Sequence, residues 1–350
     1  MTGGGDLDVR YARQARFSAI GAEGQRRLLQ ARAAVVGVGA LGCAIANHLA
    51  RAGVGSLTLI DRDIVDRSNL QRQMLFDEAD AAAGTPKAAA AAGRLAAVNG
   101  GISITPRIAD LNAFNAERLL EDADIVLDGT DNFSARYLIN EFSVKHGVPW
   151  VYGGAVGASG MTLTVVPEAT PCLRCLFPSA PPGGALDTCE TAGVLAPIVD
   201  TIASVQAMEA IKLLSGRSDA LHGSLLQIDL WSSQWQSLAV GGARDPDCPV
   251  CGRREFEALE GEAEDDGAAA VSLCGRSTVQ VMPGRPLALD LQALEPRLRR
   301  AGSAELTAYS LRLQLPGGVT FVLFEDGRAL VIGTEEAQTA RRIYAELLGE

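Results

Sequence analysis

Four cysteines stand in two C-x-x-C pairs, Cys172 and Cys175 in PCLRC and Cys248 and Cys251 in CPVC. Four thiolate sulfurs close a tetrahedral zinc site, so the spacing predicts a structural Zn²⁺ centre that staples a long excursion of chain. The alternative is a pair of redox dithiols, which usually open a thioredoxin-like helix. A fifth cysteine, Cys189, falls in the loop Pro178–Gly193, where PPGG precedes DTCETAG. It could act as a nucleophile. A small buried apolar side chain is the commoner fate of a free cysteine.

A second group of residues suits an anionic ligand. Gly37, Gly39 and Gly42 form a glycine turn in GVGALG. Such a turn lets backbone approach a phosphate, and a helix start behind it supplies free N–H groups. Asp61 ends the next apolar run, where these folds place a carboxylate on ribose hydroxyls. Ser68, Asn69, Gln71, Arg72 and Gln73 then crowd six positions. Lys87 opens a helix, where a lysine gains nothing from the helix dipole, so a nearby anion is expected. Asp131, in DGTDN, can hold a hard cation such as Mg²⁺ beside a triphosphate or can cap the following helix; Asp128 can orient that loop. Arg10–Gln14, RYARQ, is either a solvated arm or one that lends an arginine to a neighbouring subunit.

These residues need a scaffold, and the hydrophobic pattern supplies one. Ala33–Val38 reads as a buried strand, Leu41–Ala52 as a helix and Ser56–Ile60 as a second strand, a nucleotide-binding βαβ unit. Helices follow at Lys87–Asn99, Ala113–Leu120, Asn132–His146 and Pro197–Leu214. Strands follow at Ile102–Arg107, Asp124–Leu127, Val148–Tyr152, Ala158–Val166 and Leu225–Asp229. The fold class expected is α/β: a Rossmann-like, mostly parallel sheet with an antiparallel extension and zinc knuckles, plus a small C-terminal α+β domain. The boundaries expected are 1–254 for the nucleotide-binding domain, 255–270 for an acidic linker and 271–350 for the small domain. In the small domain, strands are expected at Thr278–Met282, Leu306–Leu315, Val319–Glu325 and Ala329–Gly333, with helices at Asp290–Ala301 and Glu335–Leu348.

The bulk properties narrow the function classes. At 350 residues the chain can bury a sizeable core, and 47% of it is hydrophobic. No apolar run reaches the ~18–20 residues needed to span a bilayer, and MTGGGDLDVR has no apolar signal region, so a cytoplasmic protein is expected. A net charge of −11 argues against a nucleic-acid backbone binder.

RYARQ, GVGALG, LTLIDRDIVDRSNLQRQ, GTPK, LDGTDN, PCLRCLFP, TCETAGVLAP and CPVCG occur in this order. Together, over roughly residues 8–254, they resemble the ThiF/MoeB/HesA adenylyltransferases, bacterial relatives of ubiquitin-activating enzymes. The resemblance implies adenylation of the C-terminal Gly-Gly carboxylate of a ubiquitin-like sulfur carrier (ThiS- or MoaD-like), with ATP and Mg²⁺. It implies that Gly37, Gly39 and Ala40 hold phosphate and adenosine, and that Asp61 binds ribose. Ser68, Asn69, Leu70, Gln71, Arg72 and Lys87 would contact the triphosphate. Asp131 and Asn132 would serve Mg²⁺ and nucleotide, and Arg13 would reach across a homodimer. Cys189 would match the cysteine that in some members forms a thioester or persulfide; a sulfurtransferase or cysteine desulfurase is then a further partner. Ala40 departs from the second glycine of many members, but a backbone N–H contact survives that change. Competing readings are a member acting on a peptide or tRNA base, an NAD-dependent oxidoreductase on the same βαβ unit, and an idle scaffold. The oxidoreductase leaves Arg72, Lys87, Asp131 and both cysteine pairs unexplained.

Overall fold

The computed structural model describes residues 9–179, 191–261, 269–273, 277–284 and 287–349. Its chain forms two compact units, Met1–Gly261 and Glu262–Glu350. In the first unit the order is α1 (Gly21–Gln30), β1 (Arg32–Val36), α2 (Ala40–Ala52), β2 (Ser56–Ile60), α3 (Lys87–Val98) and β3 (Ser103–Arg107). Then come β4 (Ile125–Asp128), α4 (Phe133–His146), β5 (Trp150–Val156), β6 (Ser159–Val165), α5 (Ala196–Leu214), β7 (Ser224–Asp229) and β8 (Gln234–Ala239). They build one eight-stranded sheet in the order β3-β2-β1-β4-β5-β6-β7-β8. Strands β3 to β5 are parallel and β5 to β8 antiparallel.

The parallel half is buried on both faces, which is why β1 and β4 read as continuous apolar runs. One face is covered by a layer that includes Ile45 and Leu49 of α2 and Ile198 and Ile202 of α5. The other is covered by Leu138, Ile139 and Phe142 of α4 with Leu119 and Leu120 of the short helix Ala116–Leu120. Helix α2 ends where Gly53 turns left-handed at φ 81°. The strand order reverses beside β1, with β2 on one side and β4 on the other. That reversal opens a crevice at the carboxyl ends of β1 and β4, the usual ligand position in such sheets.

Three glycines close that crevice's floor. A Cβ on Gly42 would stand 1.8 Å from the Gly37 carbonyl oxygen, and one on Gly129 would stand 2.3 Å from the same atom. Gly37 itself has φ 82°. Gly42→Ala is therefore expected to lower stability by roughly 3 kcal/mol, since backbone rather than a flexible side chain must move. Urea unfolding measures this; an unchanged midpoint would refute the interlock.

The second unit is a six-stranded antiparallel sheet in the order β11-β12-β13-β14-β10-β9. Its strands are β9 (Ala269–Leu273), β10 (Thr278–Met282), β11 (Ser303–Leu306), β12 (Leu311–Gln314), β13 (Thr320–Leu323) and β14 (Ala329–Ile332). Helices α6 (Leu291–Leu298) and α7 (Ala337–Leu348) complete it, and Val279, Leu313, Phe321 and Tyr344 lie in its core.

Three expectations differ from the structure. The strand expected at Leu306–Leu315 is two strands, because Thr307 Oγ1 accepts the N–H groups of Tyr309 and Ser310 and folds the chain into a turn. The stretch expected to be linker from 255 holds the helix Glu257–Glu260, which belongs to the first unit. The Glu141 carboxylate accepts its Ala258 and Leu259 N–H groups. The expected linker also runs into β9, which pairs antiparallel with β10. Among the described residues, no helix is long and apolar enough to cross a membrane.

Candidate active site

The crevice is built from the ends of three strands. After β1 the chain turns through Gly37–Gly39 into α2, whose N-terminus has no side-chain cap. Its first-turn N–H groups therefore point at the crevice without an intrahelical acceptor, and the helix dipole adds positive potential there. Ala40 is the first residue of that helix, so replacing a glycine there leaves the backbone N–H available.

After β2, Asp61 is buried and both its oxygens take backbone donors, Val38 N–H at 2.6 Å and Asp63 N–H at 2.7 Å. Burial pushes its carboxyl above the usual range, while Lys87 pulls it back. Lys87 is itself buried, and its Nζ lies 2.9 Å from Asp63. The anion expected beside Lys87 is thus present in the chain as Asp63, 24 positions away. The loop carrying Asp63 is fixed by the bridge between Ile64 and Pro86 and by the Lys87 N–H bond to Asp63 O. Pro86 stands at the N-cap position, directly before α3.

The polar cluster forms a short 3₁₀ turn, Arg67–Asn69, started by the Asp66 side chain. Ser68 and Gln71 are exposed, Asn69 is buried, and Leu70 packs its side chain against the core. Leu70 can offer a ligand only backbone. Arg72 donates to the Ser68 carbonyl at 3.1 Å and is half-buried.

After β4 the chain enters the loop of Asp131 and Asn132. Asn132, not Asp131, caps α4, accepting the Ala135 N–H at 2.9 Å. A carboxamide with extended backbone at that position serves as well as a carboxylate. Asp131 is exposed and makes no hydrogen bond among the described residues. Burial works against the charges of Arg62 and Arg136, yet both are held above their ordinary values, Arg62 chiefly by Asp110 and Arg136 chiefly by Asp128, with Asp131 contributing to each. An exposed, unpartnered carboxylate at a strand's carboxyl end has the chemistry Mg²⁺ requires.

Asp128 does orient the loop. Its Oδ1 accepts Thr130 N–H at 2.8 Å and its Oδ2 lies 3.0 Å from Arg136 Nε. Arg136 also donates to the Thr130 and Gly153 carbonyls, and Gln206 of α5 donates to the Asp128 and Val151 carbonyls. Asp63, Arg136 and Gln206 carry no local signal in the sequence, because their partners come from other elements.

The RYARQ segment is docked on its own chain. Tyr11 is buried, its hydroxyl accepts from Asn99 at 2.8 Å, and its ring lies against Gly53. Gln14 donates to Gln25 and to the Ala52 carbonyl. The reading as a solvated arm is overturned by this docking. Arg10 and Arg13 are both exposed, but Arg10 donates to the Val98 carbonyl and to Asn99, whereas Arg13 has no partner among the described residues. Cys189 lies outside the described residues.

The two C-x-x-C pairs meet, 76 positions apart. Cys172 Sγ lies 3.7 Å from Cys248 and 3.9 Å from Cys175, and Cys175 lies 3.4 Å from Cys251. All four sulfurs are within 4.8 Å of one another. Four ligands at the ~2.3 Å zinc–sulfur distance on a tetrahedron lie about 3.8 Å apart. The donor set and its spacing therefore fit Zn²⁺. Burial pushes the Cys172 thiol up, and burial with Cys175 beside it pushes Cys251 up to about 11. Four thiolates together need a dication. Cys43, by contrast, is a core residue whose thiol burial pushes up to about 12.

The model of the ThiF family matches residues 11–250 of this chain. The chain is 42% identical over 340 residues to the sulfur carrier protein ThiS adenylyltransferase of Bacillus subtilis, spanning 97% of this chain and 99% of that protein. It is 40% identical over 246 residues to the molybdopterin-synthase adenylyltransferase of Escherichia coli, spanning 70% of this chain and 96% of that one. Among solved structures it resembles E. coli MccB with ATP, at TM-score 0.61 and 26% identity over 70% of this chain and 75% of that one.

Proposed function

Because the chain belongs to the ThiF family, we propose that it adenylates the C-terminal carboxylate of a ubiquitin-like sulfur carrier, with ATP as donor and Mg²⁺ as counter-ion. The observation that carries this reading is the crevice at the β1/β4 reversal. The uncapped start of α2 follows β1 there, and the loop of the exposed Asp131 follows β4, a placement that suits a nucleotide triphosphate; Lys87, held by Asp63, stands at the start of α3. The carrier carboxylate attacks the α-phosphorus, the bond to the leaving pyrophosphate breaks, and an acyl adenylate forms. The nucleophile is already ionised near neutral pH, so no general base is required. What the reaction needs is neutralisation of one anion approaching another.

In this reading Gly37, Gly39 and the Ala40 N–H would serve the phosphates, Asp61 the ribose, and Ser68 to Arg72 the triphosphate. Asp131 would hold Mg²⁺, and Asn132 fixes the start of α4 behind it. Arg13, exposed on a docked segment, would complete the site of a second copy in a homodimer. Cys189 would take part in the later transfer of sulfur from a cysteine desulfurase or sulfurtransferase. The ThiS-type carrier, and with it thiamine biosynthesis, is favoured over the MoaD type because the match to the B. subtilis enzyme spans nearly the full length of both chains at 42% identity.

ATP–pyrophosphate exchange tests this, with ThiS-like and MoaD-like carriers from the same organism added singly. Exchange is expected with an intact Gly-Gly end and lost when that end is removed. Exchange with a peptide acceptor alone, or with no carrier, would overturn the assignment.

A further inference from the structure

Building on the nucleotide reading above, we propose that Gln73 contacts the nucleotide where ribose meets phosphate. Its Nε2 would donate to a phosphoryl oxygen at the start of α2, and its Oε1 would accept from a ribose hydroxyl.

Gln73 follows the polar 3₁₀ turn, and its backbone is held on both sides. Its N–H donates to the Asn69 carbonyl at 3.0 Å, and its carbonyl accepts from Phe76 N–H at 3.2 Å. Leu75 and Phe76 beyond it are anchored in the core. The side chain is 4% exposed, yet Oε1 has no hydrogen-bond partner among the described residues. A buried acceptor left unpaired is unfavourable, and such exceptions in a well-paired interior point to a missing donor. Nε2 of the same amide is the side-chain atom nearest to the space a Cβ on Gly39 would enter, at 3.9 Å. Gly39 is the residue from which the uncapped α2 starts.

An amide carries a donor and an acceptor side by side. A phosphate ester offers only acceptors, and a ribose hydroxyl can donate. An adenylate places both within reach of one amide. Each Asp61 oxygen holds one backbone N–H and keeps a further lone pair, so Gln73 would add an acceptor beside Asp61 rather than replace it. Gln73 is uncharged, so it would orient the nucleotide rather than neutralise charge, and its effect falls on nucleotide affinity.

The test is equilibrium titration of the full chain with ATP, AMP, adenosine, 2′-deoxy-ATP and 3′-deoxy-ATP. Three proteins are compared: wild type, Gln73→Met and Gln73→Glu. Gln73→Met keeps the volume and removes both bonds; ATP affinity is expected to fall about tenfold. The wild-type preference for ATP over one deoxy analogue should vanish in it. Gln73→Glu keeps an acceptor and adds charge; ATP and AMP affinity should fall about tenfold or more, with adenosine binding within about twofold. The Glu variant stands alone if the Met variant does not fold. Unchanged ATP affinity in the variants overturns the proposal. So does wild-type indifference to both hydroxyls, or discrimination that persists in Gln73→Met. A wild type that binds no ATP would instead overturn the nucleotide reading itself.

Discussion

Asp131→Ala and Arg72→Ala should each lower ATP–pyrophosphate exchange by about 10²–10³-fold, the usual loss when one charge-stabilising group is removed from a site of this kind. Both variants should unfold within about 2 °C of wild type. The separation of activity from stability follows from what each side chain touches. Asp131 is exposed and makes no hydrogen bond among the described residues, and the helix behind it is capped by Asn132. Removing its carboxylate therefore uncaps nothing. Arg72 gives one hydrogen bond to the Ser68 carbonyl, so its loss affects a single surface turn. Lys87 is a poorer probe. It is buried against Asp63 and close enough to Asp61 to shift it. Removing it strands a carboxylate, which confuses loss of function with loss of fold. Exchange at wild-type rate in Asp131→Ala or Arg72→Ala would break the site assignment.

The second large effect concerns the four cysteines. We expect about one Zn²⁺ per chain by elemental analysis. Cys172→Ser, or stripping with a strong chelator, should lower Tm by about 10 °C. The clip joins residues 76 positions apart, and closing a loop of that length is worth about 4 kcal/mol. A unit of this size loses roughly 2–4 °C per kcal/mol. The surroundings concentrate the loss. Cys172 and Cys248 sit in the same apolar layer as Val250 and Phe256. The Cys248 carbonyl accepts the N–H groups of Gly252 and Arg253, and a Cβ on Gly252 would stand 2.1 Å from the Pro246 carbonyl oxygen. The knuckle thus closes tightly around its sulfurs. Metal removal should open 166–178 and 241–256 to hydrogen exchange ahead of the parallel strands. Unchanged exchange there, with no zinc found, would return the cysteines to redox chemistry.

Much of the architecture is legible from local pattern. The run around Ala33–Val38, the glycines after it and Ser56–Ile60 declare strand, turn and strand because apolar period and backbone freedom are properties of neighbouring residues. The same holds for α3, α4 and α5, whose ends fall within a few residues of the periodic segments. Strand β8 was not legible. All its residues are exposed, Trp235 included, so no inward face marks it, and it exists by pairing with β7. Thr307 broke an apolar run through side-chain bonds to its own backbone, a signal too short to outweigh the residues around it.

For the site, the sequence by itself determined which donors are available: the glycine turn, Asp61, Arg72, Lys87, Asp131 and the four cysteines. Their types and order are local facts. Only the tertiary structure decided their partners. The packing of α4 and β5 against β4 brings Arg136 and Gly153 to Asp128; the loop after β2 brings Asp63 to Lys87; docking against Asn99 and Gly53 fixes Tyr11 and leaves Arg13 outward. The unpaired Oε1 of Gln73 is visible only once everything around it is placed. Partnership depends on distance in space, and packing sets that distance between residues the chain keeps far apart.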